Sequence, residues 1–350
     1  MRRATRALGA LLGIVVAGAL SACVAPSQVV ADSTVTIVTD TELGVVNPGS
    51  TRSAAVTRLG VDLALYSGFA AVDDRGNPVS DPSFGAFIVL DQEPLTVRYT
   101  VSDAARWSDG TPVDAVDLLL DWAAHADRWA AFSATRGGGA GGITALPTLS
   151  PDRKSLTVVF DAASSAAPER QFMAPMPSHV VARGALGIED TEAAKDAVIA
   201  AITTAVDGDD AALMRLGTFW TRGFTVDAGP EVLVSSGPYK VAEVAERAVE
   251  LRPNPRYAGD HRPRIQSVRL VTLPPLEGLQ ALVADAADLL AIGPNAGVEE
   301  LAPGLGLRLL ASGPGASTLI VAQRQTVAGV EVGADGRRLL WGVAEWTPTR

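Results

Sequence analysis

Residues 106–117 read Arg106-Trp107-Ser108-Asp109-Gly110-Thr111-Pro112-Val113-Asp114-Ala115-Val116-Asp117, an aromatic, a turn and a helix start in succession. Ser108-Asp109-Gly110 is turn chemistry, because an Asp side chain can accept from the backbone just ahead of it and Gly tolerates positive φ. Thr111 is placed to cap a helix, Pro112 fits a first position that needs no N–H, and Asp114 completes an approximate capping box while opposing the helix dipole. The predicted helix runs to about Ala126, with Val113, Val116, Leu119, Leu120 and Ala123 inward and Asp117 and Asp121 outward. Capping explains the acids of this unit without a metal, since the ligand count and spacing of a calcium loop are missing. The unit is architecture, and nothing in it is catalytic.

Working outward, Leu95–Val101 (LTVRYTV) alternates as a half-buried strand does and delivers the chain to Trp107. Upstream, the β-branched run Thr34–Thr39 ends at the turn residues Asn47-Pro48-Gly49-Ser50. Ala54–Tyr66 carries apolar residues at helical spacing, and Asp73–Pro78 is a hairpin turn. Downstream, Arg136–Gly142 (RGGGAGG) lacks the lysine of a phosphate loop and reads as a flexible loop. Glu189–Leu216 holds two amphipathic helices broken at Asp207-Gly208-Asp209, expected to form a solvated insertion.

The chain of 350 residues is 47% hydrophobic and 19% charged, which suits a folded globular protein. Its net charge of −10 argues against nucleic acid as a partner, because phosphate binding needs a basic face. Arg2, Arg3 and Arg6 precede the apolar stretch Leu8–Leu20, the pattern of a signal peptide, here assigned to residues 1–22. Leu20-Ser21-Ala22-Cys23 resembles the lipobox of bacterial lipoproteins, in which the cysteine is acylated. Cys23 is also the sole cysteine. Residues 23–33 then read as a tether. Neither G-x-S-x-G nor H-E-x-x-H occurs, and His125, His179 and His261 stand far apart, so an enzyme, a bound metal and a cofactor are not expected. Only three dimensions can say whether those histidines meet.

W-S-D-G-T-P followed by an acidic, apolar helix resembles the signature segment of the family 5 solute-binding proteins, the peptide- and nickel-binding components of ABC importers. Other segments agree in order: Thr34–Pro48, Leu65–Asp81 with its tyrosine and hairpin, Pro175–Val180 (PMPSHV), Ser236–Val241 (SGPYKV) and Val249–Tyr257 (VELRPNPRY). Val283–Leu290 resembles a later helix-and-acid segment, and Ala334–Trp341 a further one.

The resemblance implies an α/β, periplasmic-binding-protein-like fold of the large type II (cluster C) form, with two lobes of which the second is incomplete. It implies a first lobe over 34–270 with an inserted subdomain at about 70–225, and a partial second lobe over 271–350. A chain cut short, a fragment or a non-functional remnant would each leave that pattern. The implied function is a lipid-anchored monomer on the outer face of the cytoplasmic membrane, delivering oligopeptides or a similar small solute to an ABC permease. A non-transport envelope lipoprotein on the same scaffold is the alternative. Glu42, Ser50 and Arg52, in the loop after the first strand, are implied solute contacts, with Trp129, Phe132 and Tyr257 as candidate apolar walls.

Overall fold

The computed structural model describes residues 29–53, 60–72, 78–126, 128–134, 145–160, 168, 171–205, 211–260, 262–311, 319–322, 326–327 and 330–331. The expected signal peptide, Cys23, most of the tether, the glycine-rich loop, His261 and residues 334–341 lie outside them. In chain order the first half comprises β1 (Val30–Thr39), α1 (Val61–Leu65), β2 (Ala70–Val72), β3 (Pro78–Ser80), β4 (Gly85–Gln92), β5 (Leu95–Val101), α2 (Ala115–His125), β6 (Thr148–Leu149) and β7 (Ser155–Val159). There follow α3 (Ser178–Leu186), α4 (Thr191–Thr204), α5 (Ala211–Arg222), β8 (Tyr239–Ala245), β9 (Ala248–Pro253), β10 (Ile265–Thr272), α6 (Pro275–Val283), β11 (Leu289–Ile292), α7 (Ala296–Gly304), β12 (Arg308–Ala311) and β13 (Leu319–Ala322).

A mixed sheet of seven strands, in the order β12-β13-β11-β1-β10-β9-β8, is the base of the molecule. β1 lies at its centre, parallel to both β10 and β11. Its β-branched run serves both faces: Val35 and Ile37 enter the main core, while Val38 enters a second core built by Leu279 and Leu282 of α6 and Val298 and Ala302 of α7. The boundary expected at residue 271 falls inside this sheet, whose strands on both sides of it are hydrogen-bonded into one ladder with β1.

After β1 the chain leaves this sheet and returns at β8. The segment expected as an insert lies within that excursion, as a four-stranded antiparallel sheet (β4-β5-β7-β6) with α2 to α5. β2 and β3 pair antiparallel, while residues 73–77 of the expected turn and the break expected at 207–209 lie outside the described residues. The helices expected to be solvated are core elements instead. Val198, Ala201 and Ile202 of α4 and Leu213, Leu216 and Trp220 of α5 are buried, because their apolar faces have α2 and α3 to pack against.

Helix α2 starts three residues later than the turn chemistry suggested. Arg106 and Pro112 form a bridge and Val113 N donates to Ala105 O, so residues 111–113 are held extended against 105–107 and cannot be helical. Asp114 is the cap: its side chain accepts from Val116 N at 2.9 Å, while Asp117 accepts from Asp114 N at 3.1 Å. Asp117, expected outside, is fully buried.

Candidate functional site

In open α/β sheets the crevice that takes a ligand lies outside the carboxyl ends of parallel strands, where successive strands part to opposite sides. Here that point is the carboxyl end of β1, since the chain passes from β10 on one side through α6 to β11 on the other. Three loops meet there: residues 40–53 after β1, 273–274 after β10 and 293–295 after β11. Leu273 N donates to Thr39 O at 2.9 Å, and Gly293 N donates to Asp40 Oδ2 at 3.0 Å, which ties the three ends together.

The loop after β1 is held from beneath. Val46 N donates to Phe224 O at 2.8 Å and Val226 N to Gly44 O at 3.0 Å. Buried Asn47 donates through Nδ2 to Trp220 O at 2.7 Å and accepts from Gly49 N at 3.0 Å. Buried Ser50 donates to Thr221 O at 2.9 Å and accepts from Arg52 N at 3.2 Å, and Thr51 N donates to Ser133 O. Gly49 is required by a close approach, because a Cβ there would stand 2.9 Å from the Trp220 ring. The outcome is a loop with a fixed backbone that leaves the side chains of Glu42 and Arg52 exposed.

The other expected contacts fall differently. Ser50 spends its hydroxyl on the fold. Phe132 is buried edge-to-face on Trp220, so it supports the loop from below. Trp129 is half-buried, stacked edge-to-face on Trp122, and its Nε1 donates to Ala205 O at 3.3 Å. Tyr257 is buried in the turn after β9, next to Arg256, whose guanidinium lies against Gly110. Sequence reasoning missed Asn47, whose partner is 173 residues away. The only local signal was the Asn-Pro-Gly turn itself.

Among the described residues no group of three or more His, Cys, Asp or Glu is placed to hold a metal ion. His125 Nδ1 lies 2.9 Å from Asp121 O on its own helix. His179 Nε2 lies 2.8 Å from Asp109 Oδ2. Burial works against the Asp109 charge, yet the hydrogen bonds from His179 and Thr111 outweigh it and hold the carboxyl down at about 2. This pair fixes α3 to the turn at 108–110.

An open groove of about 400 Å³ lies on the polar face of the same sheet, at the amino end of β1. Glu250 there accepts from Arg252 Nε at 2.7 Å and from Ser267 Oγ at 3.0 Å, so these charges satisfy one another as on a solvated sheet face.

The family model for bacterial extracellular solute-binding proteins, family 5 Middle, matches residues 89–327. An uncharacterized lipoprotein of Mycobacterium leprae is 31% identical over 260 residues, which are 72% of this chain and 44% of that protein. A periplasmic EDTA-binding protein, EppA, superposes with a TM-score of 0.61 at 20% identity, over 79% of this chain and 47% of that one. The oligopeptide-binding protein AppA of Bacillus subtilis, solved with a nonapeptide, superposes with a TM-score of 0.56 at 15% identity, over 79% and 47% of the two chains. The chain thus spans less than half the length of these relatives.

Proposed function

Since the chain belongs to the bacterial extracellular solute-binding proteins, family 5, we propose that it captures an oligopeptide or similar small solute at the carboxyl edge of its seven-stranded sheet. It hands the solute to an ABC permease from a lipid anchor at Cys23, on the outer face of the cytoplasmic membrane. The supporting observation is the loop at 40–53, which the buried side chains of Asn47 and Ser50 tie to the end of α5 while Glu42 and Arg52 stay exposed. A carboxylate and a guanidinium on one fixed loop suit a zwitterionic solute, the first for an ammonium group and the second for a carboxylate. Fixed geometry lowers the ordering cost of binding. In a two-lobed binder such an edge supplies one wall, and closure of the other lobe buries the solute.

The test is calorimetry and thermal shift with peptide pools of graded length. Binding by a pool, weakened in Glu42→Gln and Arg52→Ala, supports the proposal. No response to any peptide, together with a stable partner recovered from envelope extracts, overturns it in favour of the non-transport lipoprotein.

A further inference from the structure

Helix α2 begins at a cluster of buried Asp117, half-buried Asp114 and one buried cation, Lys195, that is bonded to Asp114 and attracted by both acids. Asp117, fully buried, accepts from Trp107 Nε1 at 3.1 Å, from Asp114 N at 3.1 Å, and from the backbone N and the Oγ of Ser178. Asp114 takes Val116 N on one oxygen and Lys195 Nζ, at 2.7 Å, on the other. Lys195 is 1% exposed and donates again to Pro112 O at 3.1 Å. The neighbouring charges are engaged elsewhere. Arg153, whose carbonyl accepts from Ala115 N, gives its guanidinium to Glu192 and Asp196 of α4. His179 of α3 is held by Asp109. Among the described residues no second cation is bonded to either acid, and a surplus negative charge in a largely buried seam is costly.

We propose that this surplus makes the seam between α2 and the helices α3 and α4 proton-dependent, so that uptake of one proton by the Asp114–Asp117–Lys195 cluster tightens it. Asp114, which has two donors against the four on Asp117, takes the proton. Burial, and after it the Asp117 charge, pushes the Asp114 carboxyl up to about 6 against the pull of Lys195. Burial opposes the Lys195 charge, but Asp117 and Asp114 outweigh it and hold the ammonium above its ordinary value. A carboxyl raised in the fold contributes stability that is full below its unfolded value and lost as pH rises through its folded value. The seam therefore loosens between about pH 4 and about pH 6, and mild acid closes it.

The experiment is thermal melting of the full chain and of Asp114→Asn, which keeps a capping acceptor, between about pH 5 and about pH 8. The wild type is expected to melt several degrees higher at the acid end. The variant is expected to melt above the wild type at the neutral end and to lose most of that slope. Equal slopes in both proteins, or a variant less stable than wild type at neutral pH, would overturn the proposal. A carbon-detected NMR titration of the wild-type aspartates gives an independent reading. A buried carboxyl that protonates near pH 6 supports the proposal, and its absence sinks it.

Discussion

Two regions of this molecule use the same bonds for opposite ends. Around Trp107 and Asp117, the buried side-chain oxygens of Asp117 accept from backbone and indole N–H groups. In the loop at 40–53 the same devices, Asn47 and Ser50, also point inward, but they carry a surface on which Glu42 and Arg52 remain exposed. The first region is a joint and the second a platform. A network whose acceptors are committed to the fold acts by holding elements together, whereas a fixed backbone with exposed side chains can also meet a solute. That difference predicts which substitutions cost stability and which cost binding.

The joint is tested hardest by Asp117→Ala. The change leaves the Trp107 indole, the amides of Asp114 and Ser178 and the Ser178 hydroxyl without their acceptor in a dry site. It should destabilise the fold by about 3–5 kcal/mol, read from the midpoint of urea denaturation. A loss within experimental error would mean that water reaches the seam. Lys195→Met, next in size, strips the cation from half-buried Asp114 beside buried Asp117 and should cost about 3 kcal/mol at neutral pH. Its penalty should shrink in mild acid, where Asp114 is neutral. An unchanged penalty would separate the lysine's packing from its charge.

These partners explain what the sequence could and could not disclose. The turn at 108–110 is local, so residue type alone places it. The cap was misplaced by three residues because the pairing of Arg106 with Pro112 delays the helix, and propensity at Thr111 and Pro112 does not register that pairing. Asp117 reads as a solvent-facing residue on a helical wheel, since its partner at Ser178 is 61 residues on. Lys195 is more hidden still: a lysine on an amphipathic helix is expected in water, and only the acids 78 and 81 residues before it give it a reason to be buried. Strand signals were legible, but the central place of β1 between β10 and β11 was not, because parallel neighbours come from more than 200 residues away. Among the residues of the candidate site, Glu42 and Arg52 are exposed, while Ser50 and Phe132 contact Thr221 and Trp220, partners the local sequence does not disclose.

On the platform, Asn47→Ala should cost about 1–3 kcal/mol, because the Trp220 carbonyl and the Gly49 amide lose a buried partner. The sharper consequence is for binding. If the platform works through a fixed backbone, solute affinity should fall although Asn47 is buried beneath the loop. An affinity that survives the stability loss would show that the loop orders on the solute instead.

Glu42→Gln and Arg52→Ala should have the smallest effect on stability, within about 0.5 kcal/mol, since both side chains are exposed and neither anchors the loop. Arg52 contributes to the fold through its amide, which donates to Ser50 Oγ, and alanine preserves that bond. The same two substitutions should produce the largest loss of affinity per unit of stability, since a rim charge acts on whatever arrives and on little else. Melting temperature and calorimetric affinity measured on the same samples decide the matter. Loss of affinity at an unchanged melting temperature places the solute on this loop, while unchanged affinity in both variants removes it from the carboxyl edge of β1.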